Sequence, residues 1–174
     1  MSTREKLLLI LLGAVVLAAK TGALKRIPET LKTVKKMLTP LGIRNNNPGN
    51  IRFNVANNWI GQTGEESGYA KFSDVAHGVR AAGKLLRNYQ DRYGLDTISA
   101  LIQRWAPQSE NPTAEYIANI ARWMGARADL PINLGHDAAL ESMLAGIFRQ
   151  ENGTQPNGHD WISGEEIRKG VALI

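Results

Sequence analysis

The alternation of apolar and polar positions divides the chain into three unequal parts. From Leu7 to Ala19 the run LLLILLGAVVLAA carries no charged group, and if Lys20 is tolerated the apolar stretch continues to Leu24. As a helix rising about 1.5 Å per residue, 7–24 would span about 27 Å, close to the roughly 30 Å hydrocarbon core of a bilayer, with Lys20 snorkelling to the interface. Residues 25–40 (KRIPETLKTVKKMLTP) read as a short basic amphipathic helix, with Pro28 near its start and Pro40 closing it. Beyond Pro40 the patterning becomes that of a folded domain, expected over 41–174.

Within that domain, 44–50 (RNNNPGN) is dense in residues that favour turns and bond their own backbone, and reads as an ordered loop. Short β-like pieces follow at 51–53, 59–62 and 69–72, separated by Gly and Asn, as in a small antiparallel hairpin sheet. After Asp74, an N-cap candidate, Val75, Val79, Ala82, Leu85, Leu86 and Tyr89 recur at helical spacing up to Gly94. A second helix is predicted over 97–105, stopping before Pro107. A third begins with Thr113 as N-cap and ends at Gly125. The fourth, 137–152, presents Leu140, Met143, Leu144, Ile147 and Phe148 on one face and has Gly153 as its C-cap. In the last, Ser163 and Glu166 form a capping box. The fold class expected is α+β, mainly helical, with a small antiparallel β-hairpin sheet, preceded by a transmembrane helix.

Charge supports this division. The 174-residue chain carries 21 Lys/Arg and 16 Asp/Glu, a net charge of +5. Residues 1–36 hold eight of the basic residues against Glu5 and Glu29, a net of +6, so 37–174, with 13 basic and 14 acidic residues, is at −1. Basicity confined beside an apolar segment suits anionic lipid headgroups at 25–36 rather than nucleic acid. An uncleaved anchor over 1–24 is therefore expected ahead of a cleaved signal peptide or a core helix. The stronger positive flank lies C-terminal to the span, which by the positive-inside rule puts the domain on the cytoplasmic side. The absence of cysteine excludes a disulfide framework, a thiolate metal site and a cysteine nucleophile. His77, His136 and His159 lack metal-ligand spacing, so no metal or cofactor is expected.

One carboxyl stands out. Glu151 lies three residues after Phe148, four after Ile147 and eleven after Leu140, continuing the apolar stripe of its helix. It also sits in the last turn, at the negative end of the helix dipole. Both circumstances disfavour the charged form, which suits a general acid working near neutral pH. A boundary glutamate whose head reaches water past Gly153 is the plainer alternative.

Residues 148–156 (FRQENGTQP) resemble the RQESGFNP-like segment of lytic transglycosylases in the lysozyme superfamily, where the glutamate is the acid/base. Residues 42–52 (GIRNNNPGNIR), followed by Trp59, Gly61 and 70–73, resemble phage-associated peptidoglycan hydrolases and the NLFGIK region of bacterial glucosaminidases. Residues 113–120 (TAEYIANI) are similar to the T-x-x-Y-V-x-x-V segment of transglycosylases, and 106–112 (APQSENP) occupy the place of their AYNAGP-like loop. The glutamate helix, first in those enzymes, is last here, as in a circularly permuted chain.

The resemblance implies a lysozyme-like fold whose substrate is the peptidoglycan glycan strand. Protonated Glu151 would donate to the oxygen between N-acetylmuramic acid and N-acetylglucosamine, and its carboxylate would then help the muramic C6 hydroxyl to close a 1,6-anhydro ring. A hydrolase would need a second carboxylate, for which Glu65, Glu66 and Asp74 are the candidates beside their simpler roles as hairpin charges and N-cap. Tyr116 is placed by the motif to bond Glu151 or substrate; as a helix aromatic it could equally be core. Asn46, Asn47 and Asn50 could bind sugar amides or hold their loop, while Gln150 and Asn152 could orient the glutamate. Trp59, Trp105, Trp123 and Trp161 are sugar-stacking platforms or core. Together these readings predict a muralytic protein of phage type, anchored in a virion membrane or in the bacterial inner membrane facing the periplasm, the side opposite to the one the positive-inside rule gives. The alternative from another class is a non-catalytic glycan-binding or structural virion membrane protein.

Overall fold

The computed structural model describes residues 38–174. The membrane anchor expected at 1–24, its anionic-lipid contact and nearly all of the basic linker lie outside the described residues. Among the described residues, no helix is long and apolar enough to cross a membrane.

Residues 41–174 form one compact unit. The element order is α1 (Leu41–Arg44), β1 (Gln62–Glu66), β2 (Tyr69–Phe72), α2 (Val75–Tyr93), α3 (Ile98–Trp105), α4 (Thr113–Met124), α5 (Asp137–Asn152) and α6 (Gly164–Val171). The class is α+β and mainly helical, with one antiparallel two-stranded sheet.

Local chemistry explains most of the boundaries. Asp74 caps α2 by accepting from the His77 N–H, Thr97 caps α3 through the Ala100 N–H, and Ser163 and Glu166 close a reciprocal capping box on α6. Gly94 and Gly125 end α2 and α4 in the left-handed conformation that glycine adopts without strain. The hairpin turns through Ser67 and Gly68, both at positive φ as a two-residue type I′ turn requires.

Two expectations change. Thr113 is the first residue of α4 and Pro112 takes the cap position, because the Thr113 hydroxyl instead donates to the Ala106 carbonyl at 2.6 Å and ties α4 to the end of α3. Of the three β-like pieces, 69–72 is a strand, whereas β1 runs over Gln62–Glu66, largely beyond the apolar piece 59–62. Ile51–Phe53 contributes a single bridge, between Arg52 and Tyr69. The polar sequence of β1 pairs because the tight turn imposes its register on β2.

The core lies between α2 and α5, closed by α3, α4 and α6, and is filled by Val79, Leu86, Leu101, Ile102, Ile120, Leu140, Leu144 and Ile147. Close approach depends on small residues. A Cβ on Gly170 would fall 2.4 Å from the Val79 Cβ, and one on Gly146 would fall 2.9 Å from Ile120 Cδ1. The asparagine loop is built into this body. Buried Asn47 donates to the Ile51 and Ala70 carbonyls and accepts from the Ile51 N–H, all at 2.9 Å, holding the loop on β2. Buried Asn152, at the end of α5, donates to the Pro48 carbonyl at 2.7 Å. The loop is thereby fixed to the hairpin on one side and to the helix carrying Glu151 on the other.

Candidate active site around Glu151

The last turn of α5 has Phe148 buried and Arg149 exposed, and Glu151 emerges between them half-buried. Its carboxyl head meets three other elements. The Asn50 amide, from the loop, donates to Oε2 at 2.8 Å. The Tyr116 hydroxyl, from α4, donates to Oε1 at 2.9 Å. The indole N–H of Trp105, at the end of α3, lies 3.4 Å from Oε1.

Asn50 reaches this position from a left-handed backbone (φ 48°), a conformation asparagine tolerates better than most residues. Gly42 makes room for it, since a Cβ there would lie 2.5 Å from Asn50 Oδ1. Tyr116 is almost wholly buried. Burial and then the negative charge of Glu151 push its phenol far above the usual range, so it remains a hydrogen-bond donor at any physiological pH.

The sign of the resulting pH effect follows directly. Above about pH 10 the unfolded chain releases the Tyr116 proton while the folded chain retains it, so deprotonation favours unfolding. Stability owed to this phenol is expected to be constant below about pH 10 and to fall by about 1.4 kcal/mol per pH unit above it. Denaturant unfolding at pH 8 to 11 should show a shallower alkaline slope for Tyr116→Phe, and an unchanged slope would contradict the buried, carboxylate-bonded phenol.

Glu151 lines a cleft of about 880 Å³, within the range of about 300–1,000 Å³ usual for ligand sites. The rest of the lining includes Arg52, Trp59 and Tyr69 in and around the hairpin and Trp105, Pro107 and Glu110 at and after the end of α3. The Arg52 guanidinium bonds the Glu110 carboxylate at 2.8 Å and lies 5.7 Å from the Tyr69 ring centre.

The structure thus brings Asn50 and Tyr116 to Glu151. Apart from Trp105, and Trp59 in the cleft wall, it does not bring the other candidates there. Asn46 donates to the Phe72 carbonyl and Asn47 holds the loop, so both amides face backbone. Gln150 accepts from Asn119 on the neighbouring helix. Of the carboxylates expected as a possible second group, none lines the cleft. Glu65 accepts from the Gly68 N–H in the hairpin turn, Glu66 pairs with Arg44 and Lys71, and Asp74 caps α2 and contacts His77. Ser73, Asp74 and His77 cluster, but Ser73 and Asp74 both contact the same ring nitrogen, Nδ1, so no proton relay runs through the imidazole.

Of the tryptophans, Trp59 and Trp105 line the cleft, whereas Trp123 and Trp161 pack against the core. Sequence reasoning missed Arg52, Glu110 and Arg104 as cleft residues. Glu110 lies in the 106–112 segment already singled out; the two arginines carry no sequence signal beyond being charged.

The fold and the site define a mainly helical α+β protein with a carboxyl group held by side chains of three elements in an open cleft. No protein-family model matches the chain. Over 133 residues it is 34% identical to protein P5 of Pseudoalteromonas phage PM2, an alignment covering 74% of this chain and 78% of that protein. The chain belongs to the family of this phage protein.

Proposed function

We propose that the protein is a membrane-linked, phage-type peptidoglycan-degrading enzyme of lysozyme-like fold. It would cleave the bond between N-acetylmuramic acid and N-acetylglucosamine as a lytic transglycosylase, with Glu151 as its single general acid/base. The observation that carries this reading is the Glu151 carboxyl itself, facing a ligand-sized cleft while Asn50 and Tyr116 hold its two oxygens.

A glutamic acid that protonates a glycosidic oxygen develops negative charge as the proton leaves. The Asn50 amide and the Tyr116 hydroxyl are already aimed at the atoms on which that charge appears, so little reorganisation is needed. The carboxylate then accepts the proton of the muramic C6 hydroxyl as that oxygen attacks the anomeric carbon and closes the anhydro ring. A one-carboxyl mechanism fits the cleft, because its other carboxylate, Glu110, is paired with Arg52. Membrane attachment through 7–24, with the domain on the peptidoglycan side, would place the enzyme at its substrate, either during delivery of the phage genome or at host lysis.

The test is mass spectrometry of the products released from purified peptidoglycan by the full-length protein in detergent, beside its Glu151→Gln variant. Anhydromuropeptides made only by the wild type are expected. Reducing ends would make it a hydrolase and turn attention to Glu110 as second carboxylate. No product from folded protein would refute the enzyme and leave a glycan-binding or structural role in the virion membrane.

A further inference from the structure

A second groove, of about 550 Å³, opens beside the Glu151 cleft and shares Tyr89, Arg104 and Pro107 with it. Arg104 therefore stands on the ridge between the two. Its guanidinium lies 3.8 Å from the ring centre of Tyr93 and 4.9 Å from that of Tyr89, two tyrosines one helical turn apart on α2. Rings at these distances hold the cation in place by attraction to their π faces.

The guanidinium has no carboxylate partner among the described residues. The two acidic side chains lining the cleft are engaged elsewhere, Glu110 by Arg52 and Glu151 by Asn50 and Tyr116. An arginine carries five N–H donors and no acceptor, and one stacked on aromatic rings keeps its in-plane edge free for a two-pronged bond to a carboxylate. The residue is on α3, directly before Trp105, so the site it forms is rigidly placed relative to Glu151.

We propose that Arg104, backed by Tyr89 and Tyr93, binds a carboxylate of the peptide stem on the glycan, and that the second groove receives this stem. The proposal rests on the reading of the main cleft as a glycan site. A strand lying past Glu151 carries its peptides as side branches ending in free carboxylates, and the ridge between the two grooves is where such a branch leaves the main cleft. Leu95, Ala100 and Pro107 provide an apolar wall for the uncharged part of the stem. Arg104 is thus a specificity-determining residue that selects peptide-bearing over bare glycan.

The test measures binding with the full-length Glu151→Gln protein in detergent, which holds glycan without cleaving it. The probes are soluble peptidoglycan fragments with intact stems and the same fragments stripped of them by an amidase. Calorimetry compares Arg104 with Arg104→Ala and Arg104→Lys, the lysine keeping the charge without the fork.

The alanine variant is expected to weaken binding of the stem-bearing glycan by about ten- to a hundredfold, the range for a hydrogen bond to a charged group. Bare glycan, which meets Arg104 only as part of the cleft wall, should weaken markedly less than the stem-bearing probe, and lysine should recover part of the loss. Equal weakening for both probes, or none for the stem-bearing one, overturns the proposal. If alanine prevents folding, Arg104→Gln, which keeps the stem of the side chain over the rings, is measured in its place. Stem-selective binding by a wild type that cleaves nothing would remove the catalytic reading and keep this one, whereas binding of neither probe overturns both.

Discussion

Glu151→Gln is expected to lower kcat/KM on peptidoglycan by about a thousandfold while the protein stays folded, because general acid/base groups contribute about 10²- to 10⁴-fold. The substitution keeps size and shape but cannot donate an acidic proton. It also suits its surroundings: the amide oxygen can accept from Tyr116 and Trp105, and the amide nitrogen can face Asn50, whose amide turns to present its oxygen. Stability should therefore shift by no more than about 1 kcal/mol, near the ordinary effect of a point substitution. Turbidity clearing of purified cell walls, paired with urea unfolding, separates the two effects. A variant that retains more than a tenth of wild-type activity would remove Glu151 from the chemistry. A variant that loses activity together with its fold would assign the carboxyl a structural role.

The second large effect is expected at a position with no side chain. In Gly78→Ala the new Cβ would fall 1.8 Å from the Asn46 carbonyl oxygen, 2.9 Å from that carbonyl carbon and 3.2 Å from Pro48 Cδ. The obstacle is backbone of a loop held by Asn47 on one side and Asn152 on the other, so it cannot swing away as a side chain would. Either α2 or the loop must move, at a cost of about 3 kcal/mol or more. Activity should fall as well, since the same loop ends at Asn50. Gly164→Ala is the control. A Cβ there meets nothing within 4 Å and its backbone is not left-handed, so no loss of stability is expected in the same urea titration. Equal midpoints for the two variants would contradict the packing of α2 on the asparagine loop.

Much of the helical framework was legible in the sequence because its signals are local. Asp74, Thr97 and Ser163 announce helix starts through their own side-chain bonds, and Gly94, Gly125 and Gly153 announce ends through the conformations they permit. Thr113 was misread for the same reason: a hydroxyl before a helix looks like a cap until a partner distant in sequence, here the Ala106 carbonyl, captures it. The sheet was harder to place because β1, QTGEE, has no apolar face to betray it and depends on the turn at Ser67 and Gly68 for its pairing.

The candidate site divides along the same line. Glu151 could be picked out from its place on the apolar face of one helix, and Tyr116 and Asn50 from short motifs. That Asn50, unlike Asn46 and Asn47, reaches the carboxyl could not be read, because the asparagines of one short loop look alike until the loop curls over the end of α5. The bond joining Asn50 to Glu151 spans 101 residues of chain. Likewise Glu65, Glu66 and Asp74 were carboxylates with the right chemistry in the wrong place, and Glu110 was overlooked although it lines the cleft.

By itself the sequence determined the order of helices, most of their caps, the concentration of positive charge ahead of residue 37 and the one carboxyl aligned with a buried stripe. All of these follow from interactions between residues a few positions apart. Only the tertiary structure decided which donors hold that carboxyl, which charged groups share its cleft and where Arg104 meets Tyr89 and Tyr93. Those contacts join segments far apart in the chain, and their distances are set by how α2, α3, α4 and α5 pack around one core.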